Sequence, residues 1–304
     1  MSQTAHKFEP SILREYDIRG VVGSTVHAAD ARAIGRTFGT LVKRKGGKRV
    51  ALGYDGRLSS PELAAACIEG LTAAGVDVVN IGVAATPMLY FAVYHLGADG
   101  GIQITGSHNP PDYNGFKMMM GKKSFFGADI QTLGAMAGKG DWESGQGKVE
   151  KKDILADYAA RLLRDVKPGK KLKVAWDVGN GAVGVSIRSV VDKLPGEHFV
   201  LNEKVDGRFP AHHPDPTVPK NLEQLVAEVA KRGCDLGIAF DGDGDGQLVS
   251  TELVIDNDAK QTVVTERLTA LGLKNPRITG QVQPYSINHD VARGAWVTSD
   301  CRTC

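Results

Sequence analysis

The sequence predicts an α/β protein of two successive units, each with a mixed, mainly parallel sheet. Three observations predict it. Short apolar runs alternate with stretches of helical spacing between residues 29 and 240, the alternation breaks once at a polar, glycine-rich stretch over 138–152, and the length is 304 residues. At roughly 150 residues per domain, that length accommodates about two domains with cores of their own. Strands alternating with helices on this scale indicate βαβ units. The units are therefore placed at 1–150 and 151–250, with 251–304 as a remainder.

Each element follows from local chemistry. Ile34, Phe38, Leu41 and Val42 recur at helical spacing over 29–44, and Gly46-Gly47 stops that helix. Residues 50–54 make a short apolar strand. Ser59 or Ser60 then caps a helix with Pro61 in its first turn, alanine-rich up to Gly75. Residues 76–81 read as a strand, Thr86-Pro87 opens a helix through Leu96, and 101–105 is the next strand. In the second unit, Asp153 caps a helix through Leu163, and 172–176 is a strand running into Asp177-Val-Gly-Asn-Gly181. A helix over 183–191 and a strand over 198–201 follow. Residues 212–219 carry three prolines and must be extended. A helix over 220–232, with Leu222, Leu225, Val226 and Val229 on one face, leads to a buried strand over 235–240.

Composition narrows the class. With 37 Lys+Arg against 35 Asp+Glu the formal charge is +2, and no charged tail points to nucleic acid or a membrane surface as partner. No apolar run reaches the roughly 18 residues of a membrane span, and the polar start lacks a secretory signal. A hydrophobic content of 42% and aperiodic glycine exclude disordered and fibrous classes, so a soluble cytoplasmic protein is expected. Cys67, Cys234, Cys301 and Cys304 are too scattered for a disulfide framework. Cys301 and Cys304 have the gap of a metal or redox pair, but there is no second pair, and two thiols in a tail is the preferred reading.

In open α/β sheets ligands gather beyond the carboxyl ends of strands, and two such ends carry unusual residues. Thr105-Gly-Ser-His-Asn-Pro110 follows a strand directly. Ser107 is a hydroxyl in a stiff loop that can attack or carry a group, with His108 beside it for proton transfer; the same residues also suit a plain turn. Lys117 adds a cation downstream. The second end is Asp241-Gly-Asp-Gly-Asp245, three carboxylates whose repulsion a divalent cation relieves. Their hard oxygens select magnesium or calcium over zinc. Asp241, Asp243, Asp245, Gly246 and Glu252 also fit the calcium loop of an EF-hand, but Gly233, Gly237 and a β-like run stand where its entering helix belongs. Arg19 and Arg57 are arginines for phosphate or for surface pairing with Asp, and the Gly179-Asn-Gly181 turn is either an anion nest or a turn only. Serine, cation loop, lysine and arginine together compose a phosphoryl-transfer set.

Tyr16-Asp-Ile-Arg-Gly20, Gly53-Tyr-Asp-Gly-Arg57, the Ser107 loop, Asn114-Gly-Phe-Lys117, Asp177-Val-Gly-Asn-Gly181, His212-His-Pro-Asp-Pro216 and the Asp241 loop occur in that order. The chain thereby resembles the α-D-phosphohexomutases, in the bacterial phosphomannomutase/phosphoglucomutase branch, over residues 10–245. The resemblance implies tandem α/β phosphohexomutase domains. It also implies a Mg²⁺-dependent interconversion of hexose 1- and 6-phosphates (mannose, glucose or both) through a phosphoserine and a 1,6-bisphosphate. The phosphoserine would be Ser107, the metal ligands Ser107, Asp241, Asp243 and Asp245, and the residues about the reacting oxygens His108 and Lys117. Tyr16, Arg19 and Lys117 would contact substrate and its phosphate. Beyond 245 the likeness stops: Gly246 stands where the family has Arg, and the third- and fourth-domain loops have no counterpart. Residues 251–304 are then a truncated, frameshifted or divergent remnant of a third domain. Two further readings are a partial enzyme that stalls at, or hydrolyses, the phosphoserine, and a calcium module on residues 241–252.

Overall fold

The computed structural model describes residues 5–166, 169 and 171–244, together with the backbone of four short strands at Arg277–Ile278, Gln283–Ile287, Asp290–Gly294 and Val297–Thr298. Asp245, Glu252, the helix expected over 261–271 and the two C-terminal cysteines lie outside the described residues.

The first unit contains β1 (Ile18–Val21), α1 (Ala28–Arg44), β2 (Arg49–Tyr54), α2 (Ser60–Ala73), β3 (Asp77–Val83), α3 (Thr86–His95), β4 (Gly100–Ile104), β5 (Tyr113–Met120), β6 (Lys123–Phe125), α4 (Ala128–Lys139) and β7 (Val149–Lys151). Its strands form one sheet in the order β1-β5-β4-β2-β3-β7, with β6 on β5. The pairs β4–β2, β2–β3 and β3–β7 are parallel, and those made by β5 are antiparallel. Strand residues alternate between two cores. Val50, Leu52, Ile102 and Ile104 pack with Phe38, Leu63 and Leu71 under α1 and α2. Ala51, Val79 and Met119 pack with Met88, Leu89 and Val93 of α3 on the other face.

β5 and its neighbours are not apparent from pattern alone. Asn114-Gly115 has the look of a hairpin turn, yet it lies inside β5. A Cβ at Gly115 would stand 2.1 Å from the Ile18 carbonyl oxygen, so glycine there lets β1 close on β5. The polar stretch over 138–152 likewise supplies an edge strand, β7. Ser59 and Ser60 start α2 without capping it: both hydroxyls accept from Asn114 Nδ2, and Ser60 Oγ donates to Asp55 Oδ1 at 2.6 Å. The serines expected at a helix end thus brace the strand-end loops.

α5 (Leu155–Leu163) links the units. Tyr158 packs on Phe91 of α3 with ring centroids 5.6 Å apart, within the first unit's second core. The second unit follows with β8 (Leu172–Asp177), α6 (Ile187–Val191), β9 (Gly196–Leu201), α7 (Glu223–Arg232) and β10 (Leu236–Ala239). Its sheet, β10-β8-β9, is wholly parallel. Val183, Ile187 and Val191 cover one face, and Leu225 and Val229 of α7 the other. The helix expected over 183–191 begins as a 3₁₀ turn, Ala182–Val185, before α6. Among the described residues no helix is long and apolar enough to cross a membrane.

Candidate active site

The Ser107 loop leaves the carboxyl end of β4, and the Asp241 loop leaves the carboxyl end of β10. Ser107 Oγ donates to Asp241 Oδ2 at 2.8 Å, joining residues 134 positions apart. Lys117, on β5, donates from Nζ to Asp243 Oδ2 at 2.8 Å and lies 3.5 Å from Ser107 Oγ. The contact is close in the backbone as well: a Cβ at Gly242 would stand 2.5 Å from the Ser107 carbonyl oxygen. Ser107 itself has a positive φ of 50°, an uncommon conformation for a non-glycine residue, and one that clusters at functional loops.

That conformation is held by Arg57. Its guanidinium is fully buried and donates to five oxygens. Nε reaches Asp55 Oδ2 at 3.1 Å; Nη1 reaches the Pro110 carbonyl and, at 3.0 Å, that of Tyr113; Nη2 reaches the carbonyls of Ser107 at 2.8 Å and Asn109 at 2.6 Å. Every N–H is engaged, so the expectation of a phosphate or surface ion pair for Arg57 is overturned. Asp55 completes the brace by accepting from Thr105 Oγ1 at 2.8 Å and the Gly106 N–H at 3.1 Å. The anion nest considered at Gly179–Gly181 is also excluded. The N–H groups of Gly179, Asn180 and Gly181 bond to Asp177 Oδ1 and to the carbonyls of Asn202 and Val178.

Arg19 is arranged differently. Nη1 donates to the Gly106 carbonyl at 2.9 Å and to Asn109 Oδ1, Nη2 pairs with Asp17, and buried Nε makes no hydrogen bond. Tyr16, Arg19, Ser107, His108, Lys117 and Asp241, all singled out from sequence, line one cleft of about 560 Å³, with Asp215 and Thr217 of the proline-rich loop opposite. That volume suits a small polar ligand. Tyr16 is exposed at the rim and stacks on Phe126 at 6.4 Å. His108 is exposed within the cleft. Asp243 lies fully buried beneath it.

The electrostatics centre on Asp243. Burial by itself pushes its carboxyl up, but the Lys117 ammonium and hydrogen bonds from Lys117 and Thr86 outweigh burial and hold it below the usual carboxylate range. It is therefore ionised, and its Oδ1 has no hydrogen-bond partner. A buried carboxylate oxygen in that state is costly unless a cation meets it. Among the described residues no group of three or more His, Cys, Asp or Glu forms a metal cage by itself. Asp241, hydrogen-bonded to Ser107, and Asp243, linked to Ser107 through Lys117, instead offer an all-oxygen set suited to a hard cation. The strand β10, not a helix, enters the loop, so the EF-hand setting is missing. Sequence reasoning missed Thr86, Asp55 and Asn109 as parts of the site. Asp55 and Asn109 carried a signal, their places in the Gly53–Arg57 and Thr105–Pro110 motifs.

Paired α/β units meeting through a serine loop and an acidic loop define the architecture of a phosphohexomutase. Residues 10–137 match the family model for phosphoglucomutase/phosphomannomutase alpha/beta/alpha domain I, and residues 156–253 that for domain II. The chain is 46% identical over 250 residues to a phosphomannomutase/phosphoglucomutase of Pseudomonas putida, covering 82% of this chain and 54% of the relative. It is 45% identical over 236 residues to a phosphoglucomutase of Neisseria meningitidis, covering 77% and 51%. A solved phosphoglucomutase/phosphomannomutase family protein from Burkholderia thailandensis superposes with a TM-score of 0.77 at 40% identity, covering 86% of this chain and 60% of that one. The chain belongs to the phosphoglucomutase/phosphomannomutase family. It spans about half the length of the curated relatives it matches.

Proposed function

We propose that the chain carries the phosphoryl-transfer half of a phosphohexomutase, with Ser107 as the group that takes and gives the phosphoryl. The observation that carries this reading is the 2.8 Å approach of Ser107 Oγ to Asp241, with Lys117 3.5 Å from the same oxygen. In the forward step the O–P bond at Ser107 Oγ breaks and an O–P bond to a free hydroxyl of a hexose monophosphate forms. The proton of that hydroxyl passes to His108 or to solvent. The resulting 1,6-bisphosphate turns in the cleft and returns its other phosphoryl to Ser107 Oγ. Lys117 offsets charge on the moving group, and Arg19 and Tyr16 hold the sugar phosphate. Asp241, Asp243 and Asp245, with Ser107, would hold Mg²⁺, which when bound supplies charge neutralisation at the phosphoryl oxygens. The buried, unpartnered Asp243 Oδ1 supports that assignment. The working units of this reading are the two expected at 1–150 and 151–250, with the join moved past α5, whose Tyr158 packs in the first unit's core.

The test is incubation with mannose 1-phosphate or glucose 1-phosphate, magnesium and a trace of the matching 1,6-bisphosphate. Formation of the 6-phosphate, absent in Ser107→Ala, is expected. No turnover above that control sinks the mutase cycle for this chain. Phosphoserine detected by intact mass without isomerised sugar confines the chain to a half-reaction.

A further inference from the structure

Thr86 is the first residue of α3, but its side chain does not cap that helix. It is fully buried; Oγ1 donates to Asp243 Oδ2 at 2.5 Å, and its N–H donates to the Asp243 carbonyl at 2.8 Å. One residue of the first unit thus fixes both the carboxylate and the backbone of a residue 157 positions away. Lys117 donates to the same Oδ2. With Oδ2 held from two sides, Oδ1 is the oxygen left buried without a partner. The support behind Thr86 is firm: Gln103 Nε2 donates to the Ala84 carbonyl at 2.7 Å, and Ala85 packs with Val178 and Val183 of the second unit.

We infer that Thr86 is a positioning residue for the cation site, its hydroxyl holding Asp243 Oδ2 so that Oδ1 is presented to the ion. The inference rests on the reading above for the identity of that ion. It gives part of the site's geometry to a residue that neither ligates the ion nor touches the sugar. Partners that orient a metal ligand in this way change affinity by roughly 10–100-fold when removed.

The experiment is calorimetric titration of magnesium into the full chain and into Thr86→Val, Thr86→Ala and Thr86→Ser, with far-UV spectra of each. Valine and alanine are expected to weaken magnesium binding about tenfold or more, and serine to restore it to near the unsubstituted level. Should valine crowd the site and unfold the chain, alanine deletes the same hydroxyl with a smaller side chain. Unchanged affinity in valine and alanine overturns the inference, as does serine binding no better than alanine, which would trace the effect to the lost methyl group rather than the lost hydroxyl. An unsubstituted chain that binds no magnesium overturns both this inference and the metal reading. One that binds magnesium yet isomerises no hexose phosphate overturns the mutase reading and leaves the role of Thr86 intact.

Discussion

At the scale of single residues, the contrast between Arg57 and Lys117 is instructive. Both are cations near Ser107, but Arg57 holds the loop while Lys117 faces the cleft. Replacing Arg57 by Leu leaves four carbonyls and Asp55 short of a donor in a dry setting. The expected cost is about 3–5 kcal/mol, read from the midpoint of urea unfolding. Lys117→Met should also lower the unfolding midpoint, because it strips buried Asp243 of its cation, but unlike Arg57→Leu it should act on rate as well. If Lys117 serves the moving phosphoryl as proposed, losing that donor should cost about 10²–10³ in kcat, measured by steady-state turnover against a Ser107→Ala blank. A substantial loss of stability in Lys117→Met, with turnover intact, would reverse these two roles.

At the scale of elements, helix α1 turns a fully buried face to the sheet, and Phe38 meets Phe125 of β6 edge-on at 5.5 Å. Phe38→Ala should cost about 3–5 kcal/mol by chemical denaturation. The proline-rich loop is tied to the end of β8 by His212. Its Nε2 lies 2.9 Å from Asp177 Oδ2 and its Nδ1 3.0 Å from the His213 carbonyl, so acceptors face both ring nitrogens. The hydrogen bond to Asp177 raises the His212 pKa above its ordinary 6.5, outweighing burial. A group whose folded pKa is raised stabilises fully below its unfolded value and loses that contribution as pH rises through the folded one. The unfolding midpoint should therefore decline as pH climbs from about 6.5 upward, and His212→Gln should flatten that decline.

The elements that periodicity announces are the ones that bury a regular face: α1, β2, α2, β3, α3, β4, β8, α7 and β10 all stand within a few residues of expectation. β1, β5, β6 and α4 were hidden because their partners are remote: β5 reads as a turn until β1 is laid against Gly115. The site shows the same division. Ser107 and the acidic loop are legible because strand ends concentrate chemistry. The roles of Thr86 and Arg57 are not, since a hydroxyl at a helix start and an arginine after a turn acquire meaning only from atoms far along the chain.

At the scale of the molecule, the candidate cation site is assembled from both units, so filling it should stabilise their union. A ligand at a hundred times its dissociation constant contributes about 2.7 kcal/mol. Magnesium should accordingly raise the thermal unfolding midpoint of the whole chain by a few degrees, chelation should reverse the rise, and Asp243→Asn should abolish it. A midpoint indifferent to magnesium in the unsubstituted chain would count against a shared ion.

The flat seating of Gly242 on the Ser107 carbonyl has a mechanical consequence. There is no slack at that seam: even a methyl group would wedge it open, and three side-chain hydrogen bonds cross it within a few residues. On the function proposed above, a sugar carrying two phosphates has to swap ends, and this seam, clamped at both backbone and side chains, is the last place to look for the hinge that would let it.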